Sequence, residues 1–139
     1  MAIDFYPNSQ YLVTASMTTQ NDPGIRFWHL NGFEPQHLYG LQGGHSSTVN
    51  CVRFAPNGQY LASGSDDHLV IIWQMKMRPR EFGERDEEPQ WAYPRQLRGH
   101  VGDVVDLAWS YQSQHLVSAS VDGTSILWSI ASQNKLTKV

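Results

Sequence analysis

The sequence predicts an all-β chain made of three tandem units, each a small antiparallel sheet. Three observations carry this. First, three segments align with one another: DFYPNSQYLVTASMTTQNDPGIRFW, ending at Trp28; GHSSTVNCVRFAPNGQYLASGSDDHLVIIW, ending at Trp73; and GHVGDVVDLAWSYQSQHLVSASVDGTSILW, ending at Trp128. Second, spacings recur. An aromatic stands seven residues before a leucine in all three (Phe5 to Leu12, Phe54 to Leu61, Trp109 to Leu116), and an aspartate (Asp22, Asp67, Asp122) stands six before each tryptophan. A Gly-His pair places His45 and His100 each 28 residues before the tryptophan that follows. Third, runs such as VNCVRF, QYLASGS and LVIIW alternate or are continuously apolar and rich in β-branched and aromatic residues, while helical periodicity is absent.

Turn chemistry sets the elements in order. In the second unit Pro56-Asn57-Gly58 separates the first two strands, and Asp66-Asp67-His68 separates the next two. The third unit replaces the first turn with Ser110-Tyr111-Gln112-Ser113. The first unit expands the short second turn into MTTQNDPG, an insertion of four residues. Between the second and third units the period lengthens: Trp28 to Trp73 is 45 residues, Trp73 to Trp128 is 55. The excess falls in QMKMRPREFGERDEEPQWAYPRQLR, where six of the eight residues from Glu81 to Glu88 are charged. This reads as a solvated loop, of a length often put to use.

Composition removes several classes. The chain has 139 residues, 40% hydrophobic and 17% charged, as a folded protein does. A net charge of −3 supplies no general basic field for nucleic acid. The single Cys51 excludes an internal disulfide framework, and its place inside a strand predicts a buried apolar thiol rather than a nucleophile. No secretory signal is expected from MAIDFYPNSQ, and no apolar run reaches a membrane span. None of His29, His37, His45, His68, His100 and His115 pairs with Cys51 or another histidine at ligand spacing, so no metal or cofactor is expected.

A unit of about forty residues, opening near Gly-His and closing on Trp, resembles the WD repeat. The Trp-Asp dipeptide itself is replaced by Trp28-His29, Trp73-Gln74 and Trp128-Ser129. The resemblance implies a β-propeller: three blades of a larger ring of about seven. The blades are drawn at 1–33 (incomplete at its start), 40–74 and 96–131, with a charged insert over 75–95 and a tail over 132–139 that adds no closing strand. It also implies a buried hydrogen-bonded brace in each blade: His45, Ser63 or Ser65, Asp67 and Trp73; then His100, Ser118 or Ser120, Asp122 and Trp128; and Asp22 with Trp28 in the first unit. Serine, histidine and aspartate within bonding reach also invite a hydrolase reading. The set recurs once per unit, which suits a brace and not an active site, and there is no Gly-x-Ser-x-Gly elbow or phosphate loop.

A narrower resemblance rests on NCVRFAPNGQYLASGSDDHLVIIW, the charged insert, QWAYPRQLRGHVGDVVDLAWS and SASVDGTSILW. The combination is similar to the histone-chaperone branch of WD-repeat proteins, which holds the middle subunit of chromatin assembly factor 1 and the HIRA-like proteins. Arg98-Gly99-His100 and Ile126-Leu127-Trp128 lean toward the chromatin assembly factor subunit, and Gly123 departs from the asparagine common after Val121-Asp122. The resemblance implies a non-enzymatic scaffold of a nuclear histone-chaperone complex, serving nucleosome assembly at replication or repair. Its partners would be sister subunits and, through them, histones. A cytoplasmic WD-repeat adaptor or ubiquitin-ligase substrate receptor is the alternative. The three units are expected to open a longer protein, and the C-terminal regions by which such relatives engage a partner chaperone are not in this sequence. One end of the propeller, with Thr48, Asn50 and Asp66 in one blade and Asp103, Val105 and Val121 in the next, is the expected partner surface; Asp66 and Asp103 as mere turn caps is the competing reading. Trp91 and Tyr93 of the insert are further contact candidates.

Overall fold

The structure, a computed structural model, describes residues 1–7, 10–22, 24–41, 43–77, 89–132 and 135–139, with the backbone alone at 77, 89, 93, 135 and 136. The described residues form twelve strands in three four-stranded antiparallel sheets. The first blade holds β1 (Ala2–Phe5), β2 (Tyr11–Ala15), β3 (Ile25–Asn31) and β4 (Glu34–Gly40). The second holds β5 (Val49–Phe54), β6 (Tyr60–Ser65), β7 (Val70–Met77) and β8 (Pro89–Leu97). The third holds β9 (Val104–Trp109), β10 (His115–Ser120), β11 (Ser125–Ser129) and β12 (Lys135–Lys138). Each sheet pairs its strands in chain order, as a meander of hairpins dictates. The all-β propeller architecture is as the repeat implied.

Each sheet carries one strand more than the repeat boundaries allotted. β4 lies beyond residue 33, and β12 forms in the segment read as a strandless tail, pairing with β11 from Ile126↔Lys138 to Trp128↔Lys135. Both described ends of the segment read as an insert over 75–95 are strand. β7 runs on to Met77, and β8 returns along it in register from Met77↔Pro89 to Val70↔Leu97. The charged run Glu81–Glu88 lies outside the described residues. These fourth strands pair on one side only, so prolines are admissible in them, and Pro35, Pro89 and Pro94 are all found there.

The period-two pattern sends alternate side chains to opposite faces, and in the second blade each face meets a neighbouring blade. Val13, Ile25 and Phe27 of the first blade bury against Val52, Phe54, Leu61 and Trp73 of the second. The other face of the second blade, with Cys51, Ala62, Val70 and Ile72, buries against Leu107, Leu116, Ile126 and Trp128 of the third. Gly64 marks the closest approach there: a Cβ on it would stand 2.5 Å from Val104 Cγ1 and 2.8 Å from Cys51 Sγ. The first strands β1, β5 and β9 lie side by side. Polar bonds tie them together: Phe54 N donates to Asp4 Oδ2 (2.7 Å), Trp109 Nε1 to the Arg53 carbonyl (3.0 Å), and Asn50 Nδ2 to the Val104 carbonyl (3.0 Å).

The turn between second and third strands ends in a left-handed residue, His68 (φ 69°) in the second blade and Gly123 (φ 81°) in the third. That backbone is costly for most side chains and open to glycine or asparagine, which is why Gly123 is a harmless departure at this position.

Candidate functional site

In the second blade the sequence-predicted residues converge at the turn between β6 and β7. Ser63 Oγ lies 2.7 Å from His45 Nε2 and accepts the Trp73 indole N–H at 3.0 Å. His45 Nδ1 stands 2.9 and 3.1 Å from the two Asp67 carboxylate oxygens. One proton arrangement satisfies every group: the indole donates to the serine oxygen, the serine hydroxyl to Nε2, and Nδ1–H to the carboxylate. Asp67 also accepts from Ser46 N and Leu69 N, each at 3.0 Å, fixing the turn and the segment that enters the blade. Burial would raise the Asp67 carboxyl, but the bonds and charge of His45 and the two backbone donors outweigh it and hold it at about 2. Ser63, rather than Ser65, is the shared hydroxyl. Ser65 Oγ accepts Asp67 N (3.1 Å) and donates to the Ser47 carbonyl (3.2 Å).

The third blade repeats the arrangement. Ser118 Oγ lies 2.7 Å from His100 Nε2 and accepts from Trp128 Nε1 at 2.9 Å, while His100 Nδ1 meets Asp122 Oδ2 at 3.1 Å. Ser120 takes the role of Ser65, accepting Asp122 N at 3.1 Å. The Thr124 hydroxyl, ahead of a burial effect of opposite sign, and the Val101 N–H and His100 bonds push the Asp122 carboxyl well below the usual range. In the first blade Asp22 joins no such chain. It accepts Gly24 N at 3.0 Å and pairs with Arg26 inside the enlarged turn. Trp28 Nε1 instead donates to Thr14 Oγ1 at 2.9 Å. Thr14 escapes the sequence pattern, although its signal is present: the hydroxyl stands 14 residues before its tryptophan instead of 10, and the four-residue insertion is the difference.

This chemistry is structural. Ser63 and Ser118 have no solvent exposure, and each hydroxyl oxygen already holds an indole proton, so neither can reach a substrate carbonyl. Cys51 is buried, and burial first, then the Asp106 carboxylate, pushes its thiol up to about 12. Among the described residues no group of three or more histidine, cysteine or acidic side chains could hold a metal ion.

The six partner-surface residues gather at the end of the blades that bears the braced turns. Asp66 N donates to the Thr48 carbonyl and Val121 N to the Asp103 carbonyl, each at 3.0 Å. Asn50 Nδ2 donates to Asp66 Oδ1 (2.6 Å) and, across the blade boundary, to Val104 O. Asp103 Oδ1 lies 3.7 Å from His68 Nε2, both side chains half exposed. Val121 is 64% exposed and Val105 45%. Asn50 and Val105 sit near the starts of β5 and β9. Trp91, expected as a surface contact, is 6% exposed and packs its ring 5.6 Å from Phe54, 6.1 Å from Phe27 and 6.4 Å from Tyr6. The reason is that β8 is a strand of the sheet, not a loop. The Tyr93 side chain lies outside the described residues.

With this geometry in view, the family model described as the CAF1B/HIR1 beta-propeller domain matches residues 1–139. The chain belongs to the CAF1B/HIR1 β-propeller family. Protein HIR1 of Aspergillus oryzae is 36% identical over 152 residues, covering 98% of the chain and 14% of that protein. A chromatin assembly factor 1 subunit of Gallus gallus is 29% identical over 148 residues, covering 98% of the chain and 26% of that protein. The chain thus spans between about a seventh and a quarter of the length of these relatives. Among solved structures, the RRP9 WD40 repeats superpose with a TM-score of 0.76 at 24% identity, covering 99% of the chain and 37% of that one, which bears on the fold alone. The family is one of WD-repeat histone chaperones.

Proposed function

We propose that this chain supplies part of the propeller of a nuclear histone-chaperone subunit, a scaffold that joins sister subunits and, through them, histones during nucleosome assembly coupled to DNA replication or repair. The observation that carries this reading is the family match over residues 1–139. The rim described above adds a place for the contact: Asp66 and Asp103, with the exposed valines Val105 and Val121, form an acidic and apolar surface suited to a basic partner.

The test is charge reversal, Asp66→Lys with Asp103→Lys in the longest native polypeptide that carries these blades. Capture of core histones and sister subunits should weaken, most at low salt, where surface charge is least screened. Thermal stability should fall by only about 1 kcal/mol, the loss of the Asn50–Asp66 bond. Undiminished capture would refute the rim as the contact. Recovery of ubiquitin-ligase components instead of chromatin proteins would refute the chromatin reading itself.

A further inference from the structure

At the end of the blades opposite the braced turns, a cleft of about 460 Å³ opens between the second and third sheets. Sites that seat a small ligand or a few side chains span about 300–1,000 Å³. The cleft runs on between the blades into a crevice lined by Ile72, Leu97 and Ile130, and Tyr60 and Ser129 belong to both. Both walls come from the second and third blades, which pack directly on each other. The walls are preformed. Tyr60 stacks on Trp109, ring centroids 6.2 Å apart and planes 19° apart. Asn57 N donates to Ser113 Oγ across the blade boundary, and Ile130 N donates to the Gln114 carbonyl, each at 3.0 Å. Charge divides the two ends of the molecule. The carboxylates of Asp66, Asp67, Asp103 and Asp122 gather at the braced turns, whereas among the described residues no aspartate or glutamate lines the cleft or the crevice. The crevice carries a cation instead. Arg95 is exposed there and makes no hydrogen bond or ion pair among the described residues. Beside it the amides of Gln74, Gln112 and Gln114 offer both donors and acceptors.

We infer that this groove between the second and third blades seats an extended acidic and apolar segment of a partner protein. A carboxylate of the segment pairs with Arg95, whose planar guanidinium matches it bidentately. An aliphatic or aromatic side chain next to that carboxylate covers Tyr60 and Ile130, and the segment's backbone bonds the glutamine amides. A basic segment is disfavoured by Arg95 and finds no carboxylate among the described lining residues. The groove thus selects the opposite charge from the rim at the other end, and the inference does not rest on the chromatin reading.

The experiment selects short randomised peptides displayed on phage against the longest native polypeptide that carries these blades, with counter-selection on its Arg95→Glu variant. The enriched peptides should set aspartate or glutamate beside leucine, isoleucine or phenylalanine. Fluorescence anisotropy then measures one such peptide. Arg95→Glu should weaken it by about tenfold or more, the loss of a charge-assisted pair turned into a repulsion. Lysine in place of the peptide's acidic residue should restore binding to that variant, a swap that a folding defect cannot imitate. Serine in place of the peptide's apolar residue should weaken binding to the wild type, while Asp66→Lys with Asp103→Lys, at the far end, should leave it unchanged. No enrichment of acidic and apolar sequences, indifference to Arg95→Glu, or failure of the charge swap would each overturn the inference. So would single-stranded RNA that displaces the peptide in an Arg95-dependent way, which would make the groove a nucleic-acid site instead.

Discussion

Replacing Asp67 with asparagine isolates what the brace carboxylate does. The side chain keeps its size, but one carboxylate oxygen becomes an amide. Asp67 Oδ2 receives Ser46 N and His45 Nδ1, while Oδ1 receives Leu69 N. Asparagine has one carbonyl oxygen, so either orientation turns an NH2 toward a backbone donor and leaves that donor unpaired. Stranding one donor and losing the charge on the remaining bonds costs about 2–4 kcal/mol. At about 3 °C per kcal/mol for a domain of this size, the unfolding midpoint at neutral pH should drop by roughly 6–12 °C. The effect should also titrate. The folded carboxyl sits at about 2 against an ordinary 3.8, so its stabilisation is complete above the unfolded value and is lost as pH falls through the folded one. After allowance for solvent near the turn, about 1–2 kcal/mol of the difference between wild type and Asp67→Asn should vanish between about pH 6 and pH 2. A difference that stays constant over that range would refute the ionised-brace account. An unchanged midpoint with lost partner capture would make Asp67 a surface-site residue instead.

Three further outcomes follow from named contacts. Trp73→Phe should cost about 1 kcal/mol or more beyond Trp91→Phe, measured by denaturant titration, because Trp73 Nε1 bonds Ser63 whereas Trp91 Nε1 has no partner among the described residues. Gly64→Ala should destabilise by about 1–3 kcal/mol in the same assay, since its methyl enters the space of Val104 and Cys51. The Cys51 thiol, raised to about 12, keeps its proton in the folded state while the unfolded chain releases it from about pH 9. Stability should therefore fall across that interval, and Cys51→Ala should flatten the slope.

The inner three strands of each blade were legible because burial on both faces writes itself into composition. VNCVRF and LVIIW have no alternative to strand, and a histidine fixed 28 residues before a tryptophan demands a common fold. The fourth strands left no such mark. β4 reads EPQHLYG, and its first four residues are exposed, so neither apolar periodicity nor β-branching selects it. β8 hides behind two prolines and a charged run, and that concealment made Trp91 look like a surface residue when the sheet buries it. The choice between Ser63 and Ser65 was likewise out of reach of spacing alone. Both lie in β6, two residues apart and equally buried, and only the oxygen of Ser63, further from the turn, meets an imidazole and an indole together.

The braces have a consequence for how the molecule comes apart. His45 lies in the segment that leaves β4 of the first blade and enters β5 of the second, and His100 likewise follows β8 and precedes β9. Each brace therefore fastens to a turn of one sheet the strand of chain arriving from another. A scission between His45 and β5, or between His100 and β9, would separate a histidine from the sheet it secures, whereas a scission in the hairpin between β3 and β4 would leave both complete braces on one side. Proteolytic or genetic dissection should respect the second kind of boundary, and cooperative units in hydrogen exchange should begin at an outer strand and end on the next blade's tryptophan.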